Sequence, residues 1–135
     1  MKKKLNCILL VDDNPADNRF HKIIIEEMDI ANRIDTVSNG IEALYYLLKA
    51  NPTPPELILL DINMPRMNGW EFLQQYKDLD IKQKARVVIM ILSTSSNPDD
   101  IKKAKEIKEV TGFETKPLNV EVMTEILNQH FKDYL

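Results

Sequence analysis

The chain has 135 residues, 44% of them apolar and 29% charged, with a net charge of −3. That length holds one core rather than two, the balance is globular rather than disordered, and the acidic excess gives no electrostatic reason to expect nucleic acid. No apolar run approaches the roughly 18 to 20 residues of a membrane span, Lys2-Lys3-Lys4 is too short a basic start for a secretion signal, and a lone Cys7 excludes an intramolecular disulfide.

In chain order, Leu5 to Val11 is nearly continuous in apolar character and reads as a strand buried on both faces. Asn14 is placed to cap a helix from Pro15 to about Met28, with Phe20, Ile24 and Met28 predicted inward and Asp17, Asn18 and Lys22 outward. The shorter, more polar run Arg33 to Val37 predicts an edge strand. Ser38-Asn39-Gly40 turns the chain into a second helix reaching about Ala50, with Ala43, Leu44, Leu47 and Leu48 inward. Asn51-Pro52-Thr53-Pro54-Pro55 ends it and leads into a third strand, Glu56 to Leu60. A third helix begins near Gly69 and runs to about Tyr76, and the charged stretch from Lys77 to Arg86 reads as a loop. Val87 to Leu92 is the most β-branched run and a fourth strand, after which Pro98-Asp99-Asp100 opens a fourth helix. Gly112 to Thr115 predicts a fifth strand, and Asn119 to about Tyr134 a final amphipathic helix. Strict alternation of strand and helix predicts one α/β domain over residues 1–135, with a parallel sheet covered on both faces.

The ends of the apolar runs carry an ordered set of polar residues: Asp12-Asp13, then Asp61, then Ser93, then Lys116-Pro117. Each is ordinary by itself. An acidic pair before a helix serves as a cap, Ser93-Thr94-Ser95-Ser96 as a polar loop, and Lys116 as a solvated lysine before a turn. Together they fall at the carboxyl ends of parallel strands, the edge where open α/β sheets bind ligands. Adjacent carboxylates repel unless a cation lies between them, and a hard divalent ion takes oxygen ligands. A carboxylate beside such an ion is a nucleophile toward phosphorus, with Lys116 placed to neutralise the phosphoryl oxygens. Pro117 disfavours helical geometry at Lys116 and is the candidate for a cis bond. Trp70 reads as a partly buried packing residue, and His21 and His130 as surface residues without a companion ligand.

Those residues resemble the receiver domain of two-component response regulators over essentially the whole chain. The elements that carry the resemblance are Ile8-Leu9-Leu10-Val11-Asp12-Asp13, the run from Leu60 to Gly69, Leu92-Ser93 and Lys116-Pro117. It implies a flavodoxin-like (βα)5 sandwich with a parallel five-stranded sheet in order 2-1-3-4-5. It also implies that Asp61 accepts phosphate, in the presence of Mg²⁺ or Mn²⁺, from a histidine kinase or histidine phosphotransfer protein. By position, Asp13, Asp61 and the backbone carbonyl of Asn63 correspond to direct metal ligands, and Asp12 to one acting through water. Ser93 takes the switch hydroxyl's place, with Thr94 as the alternative one residue on, Lys116 that of the phosphate-binding lysine, and Phe113 that of the aromatic switch residue. Phenylalanine departs from the tyrosine variant, since it makes no hydroxyl contact.

The resemblance further implies a cytoplasmic stand-alone regulator without an effector domain, a switch rather than a turnover enzyme, bound neither to nucleic acid nor to membrane. Its downstream partner is unnamed by the sequence, and its state is a monomer or a phosphorylation-dependent dimer. Output is expected at the face of the fourth helix, fifth strand and fifth helix, where Lys102, Lys105, Glu106 and Glu109 lie, and the kinase near Asn14, Pro15, Asn18 and Leu118. Two rivals remain. A haloacid-dehalogenase-type phosphatase wants an acid two residues after its nucleophile, where this chain has Asn63, and a nucleophile on its first strand. A receiver-like scaffold working without phosphate leaves the complete acid set without a purpose.

Overall fold

In the computed structural model, residues 4–49, 55–79, 88–94 and 97–132 are described. The expected turn over residues 50–54, the stretch 80–87 and the expected end of the last helix at Tyr134 lie outside them. Five parallel strands, β1 (Leu5–Val11), β2 (Ala31–Val37), β3 (Leu57–Leu60), β4 (Val88–Ser93) and β5 (Val110–Thr115), form one sheet in the order β2-β1-β3-β4-β5. The helices between and after them are α1 (Pro15–Met28), α2 (Gly40–Lys49), α3 (Gly69–Tyr76), α4 (Pro98–Glu106) and α5 (Val120–His130). This is the flavodoxin-like fold, with β2 and β5 as edges.

The pleat divides the core in two. Leu9, Val11, Ile58, Leu60, Ile89 and Ile91 point to the face covered by α2, α3 and α4, where Phe72 and Leu47 are fully buried. Their neighbours Ile8, Leu10, Leu57, Leu59, Met90 and Leu92 point to the other face, against Ile25 of α1 and Met123, Ile126 and Leu127 of α5. Both faces being covered explains why β1 and β3 read as unbroken apolar runs.

The elements exceed or fall short of expectation in ways that have physical reasons. β2 begins at Ala31 and β5 at Val110, because ladder pairing with β1 and β4 carries the more polar residues along. β3 begins at Leu57 rather than Glu56, and α5 stops at His130 with Phe131 at its cap. On α1 the predicted face holds at Met28, which packs half-buried against the core, and fails at Phe20. Phe20 is 49% exposed, while Asn18, His21 and Ile25 are buried. Leu48, expected inward on α2, is 53% exposed. Among the described residues no helix is long and apolar enough to cross a membrane.

Candidate functional site

Register sets the site. Val11 stands opposite both Val37 and Leu60, so β1 and β3 finish side by side. The ladder runs one step further, with the Asp12 amide donating to the Val37 carbonyl at 3.1 Å and the Asp61 amide to the Val11 carbonyl at 2.9 Å. Two carboxylate residues are thereby fixed by main-chain bonds at adjacent strand ends. On the far side the Lys116 amide donates to the Ser93 carbonyl at 2.7 Å, and the Lys116–Pro117 peptide bond is cis.

The side chains close the arrangement. One carboxylate oxygen from each of Asp12, Asp13 and Asp61 lies within 4.8 Å of the others. Asp12 and Asp61 are buried and Asp13 is exposed. Lys116 Nζ donates to Asp12 Oδ2 at 2.5 Å and to Asp17 Oδ2 at 3.0 Å, and stands 3.8 Å from Asp61 Oδ1. The other Asp12 oxygen accepts from the Asn14 amide at 2.9 Å. Both oxygens of Asp12 are therefore engaged. Asp61 Oδ1 accepts from the Ile62 amide at 2.9 Å.

Burial and the charge of Asp12 push the Asp61 carboxyl up to about 6, and Lys116 with the Ile62 and Asn63 amides offsets only part of that rise. For Lys116, burial works against the charged form, but the bonds to Asp12 and Asp17 outweigh it and hold the ammonium above its ordinary value. Three clustered carboxylates share one cation, so negative charge is in excess. Oxygen donors in excess charge, one of them raised by burial and then by its neighbour's charge, are what a hard divalent ion relieves. The residues present fit such an ion.

The loop after Asp61 is irregular, with Arg66 in the left-handed region at φ 66°. It is pinned by Gly69, whose amide donates to the Ile62 carbonyl at 2.8 Å. A Cβ on Gly69 would come within 2.6 Å of the Asp61 carbonyl oxygen and 2.9 Å of the Ile62 Cα, so only glycine lets α3 begin this close to the acid. Asn68 caps α3 in a reciprocal box with Glu71, each side chain bonding the other's amide.

Asn63, expected to offer its carbonyl, is exposed in that loop. Ser93 is fully buried as the last residue of β4, and Thr94 is exposed just beyond. Phe113 is half-buried on β5 opposite Ile91, packed on the α2–α3–α4 side of the core. Trp70 is half-buried, with Lys103 Nζ 4.7 Å from its ring centre.

His21 corrects the expectation of a surface residue: it is 3% exposed, and its Nε2 accepts the Leu118 amide at 3.3 Å. Burial, then the nearby Lys116 charge, lowers its proton affinity, which keeps that nitrogen an acceptor. Asn18, expected outward, donates to the Asp12 carbonyl at 2.9 Å. Asp17 and His21 were missed as site residues, and Asn18 was expected near the site as a kinase contact rather than turned in to support Asp12. The usable signal was spacing, since Asp17 lies in the first turn of α1 just after the acidic pair, and Asn18 and His21, three apart, share a face of that helix.

A doubly wound α/β sheet whose carboxyl edge gathers three carboxylates, a hydroxyl and a buried lysine defines a class built for metal-assisted contact with a phosphoryl group. The sequence model of the response regulator receiver domain matches residues 8–128, and the chain belongs to that family. It is 33% identical over 118 residues to the response regulator Rcp1 of Synechocystis, covering 84% of this chain and 78% of that one. A crystal structure of a two-component response regulator from Cytophaga hutchinsonii superposes with a TM-score of 0.84 at 30% identity, covering 96% of this chain and 99% of that one. The phosphorylated cyanobacterial phytochrome response regulator RcpA is similar at a TM-score of 0.75 and 32% identity, covering 96% and 93%. Receiver domains are phosphorylatable signalling switches that interact with histidine kinases and downstream effectors, and the family binds Mg²⁺ at an acidic pocket.

Proposed function

We propose that this chain is a phospho-accepting switch in which Asp61 takes phosphate from a histidine kinase or histidine phosphotransfer protein, working in the cytoplasm as a signalling element rather than a turnover enzyme. The observation that carries this reading is the meeting of Asp12, Asp13, Asp61 and Lys116 at one sheet edge, from strand ends far apart in sequence. An Asp61 oxygen attacks the phosphorus, the new O–P bond forming as the P–N bond of phosphohistidine breaks and the imidazole leaves with the electron pair. The transition state spreads charge over the phosphoryl oxygens. Lys116 supplies positive charge on one side, and Ser93 a hydroxyl that donates to a phosphoryl oxygen. Asp13, Asp61 and the Asn63 carbonyl would hold Mg²⁺ directly and Asp12 through water, and the ion's chemistry is charge neutralisation beside the acceptor.

Output follows from differential binding, since phosphate shifts the protein only as far as it stabilises one state over another. Ser93 moving toward phosphate leaves room for Phe113 to turn inward, a packing switch that changes the α4–β5–α5 face and a partner's affinity there. Lys102, Lys105 and Glu106 are exposed on that side. As a test, intact mass after incubation with acetyl phosphate and Mg²⁺ should show one phosphoryl adduct on the natural chain and none on Asp61→Asn. Stoichiometric labelling that persists in Asp61→Asn would refute the assignment.

A further inference from the structure

We propose that Asp17 is a positioning residue that holds Lys116 back from the phosphoryl site and so slows acceptance of phosphate from anionic donors. The inference rests on the acceptor role of Asp61 proposed above. An ammonium has three N–H donors, and Lys116 spends two of them on Asp12 and Asp17 while standing 3.8 Å from Asp61, beyond hydrogen-bond range. Asp17 is not needed to keep Lys116 in place. The lysine is already tied by its bond to Asp12, by its own amide to Ser93, and by the Leu118 amide to His21, and its side chain is 7% exposed.

What Asp17 adds is a third carboxylate around Lys116, beside Asp12 and Asp61. Among the described residues Lys116 is the one base it pairs with. Asp17 stands in the first turn of α1, where the helix amino end carries partial positive charge and an acidic side chain is well placed. An incoming phosphodonor is itself an anion, and in the transition state its oxygens compete with Asp17 for the same N–H groups. Asp17 therefore acts twice, by repelling the donor and by drawing Lys116 aside. Its carboxylate is 35% exposed, so solvent and salt screen part of the effect.

The test compares the natural chain with Asp17→Asn and Asp17→Glu, following adduct formation by intact mass in Mg²⁺ with dianionic acetyl phosphate or monoanionic phosphoramidate. With acetyl phosphate, an Asp61 oxygen bonds phosphorus as the P–O bond breaks and acetate departs with the electron pair. Asp17→Asn should label about two- to fivefold faster with acetyl phosphate at low salt, the range of a partly exposed charge pair. The gain should shrink with phosphoramidate and at about 0.5 M salt. Asp17→Glu, which keeps the charge, should return to the natural rate. A purely structural role would move neither the dependence on donor charge nor that on salt. Labelling of Asp17→Asn at or below the natural rate overturns the proposal, as does an acceleration indifferent to donor charge and salt, or an Asp17→Glu as fast as Asp17→Asn. Absence of any adduct on all three chains, with both donors, overturns the acceptor role itself and this inference with it.

Discussion

Two polar clusters flank β1, one against its middle and one at its carboxyl end. Against the middle, the Tyr46 hydroxyl donates to Asp35 Oδ2 at 2.6 Å and accepts from Arg33 Nη2 at 3.1 Å, while Arg33 Nε donates to the same Asp35 oxygen at 2.9 Å. Cys7 Sγ lies 3.2 Å from the Tyr46 hydroxyl, and burial pushes its thiol up, so it stays neutral. One acid faces one base, and the hydroxyl both donates and accepts. At the carboxyl end, Asp12, Asp17 and Asp61 surround Lys116, Asp13 lies beside Asp12 and Asp61, and the Asp61 carboxyl is raised. A polar group that only supports the fold ends paired with its neighbours. The carboxyl-end cluster leaves charge unbalanced at a fixed place, which costs stability in the ion-free chain and is relieved by what the site binds.

The contrast breaks most readily at Gly69. A Cβ there meets backbone rather than a yielding side chain, so Gly69→Ala should displace Asp61 as well as destabilise the fold by about 1–3 kcal/mol. Chemical denaturation and the labelling rate should fall together. A variant destabilised but labelled at the natural rate would show that the close approach serves packing alone.

A smaller effect follows from protons. Asp61 holds its proton up to about pH 6 in the folded chain, against about 4 when unfolded. Because the folded value is the higher one, the protonated form favours folding, and that contribution falls away as pH rises from about 4 through about 6. Without divalent ions, Asp61→Asn should therefore melt higher than the natural chain at pH 7, and the gap should narrow toward pH 4.5. Mg²⁺ should raise the natural chain more than the variant. A natural chain that melts higher than Asp61→Asn at pH 7 without ions would contradict the excess-charge account.

The smallest effect tests the balanced cluster. Tyr46→Phe removes the hydroxyl that links Asp35, Arg33 and Cys7, and should cost about 1 kcal/mol. Labelling of Asp61 should be unchanged, measured by the same mass time course. A changed labelling rate would couple the two clusters and dissolve the contrast.

Much of the frame was legible because it depends on local signals. Leu57-Ile58-Leu59-Leu60 is apolar on both faces and ends in an acid, and Asn14-Pro15 announces α1 by cap and fixed φ. The strand order was reached through resemblance and not through periodicity. The face of α1 was legible only in part, at Met28 and not at Phe20. Ile23-Ile24-Ile25 gives three consecutive apolar residues and no unique stripe, and the buried face is set instead by polar partners distant in sequence. Asn18 turns in to reach the Asp12 carbonyl, His21 to take the Leu118 amide, and Asp17 to reach Lys116. Each partner is tertiary, which is why the acids at the strand ends were found while the inward roles of Asp17, Asn18 and His21 were not.

Reductive mapping tests the central claim most directly. The natural chain is labelled with acetyl phosphate and Mg²⁺, reduced with borohydride, which converts an acyl phosphate to homoserine, and sequenced by peptide mass. The account predicts homoserine at position 61 and at no other aspartate. Homoserine at position 12, 13 or 17, or a phosphoryl adduct that borohydride leaves untouched, would contradict it.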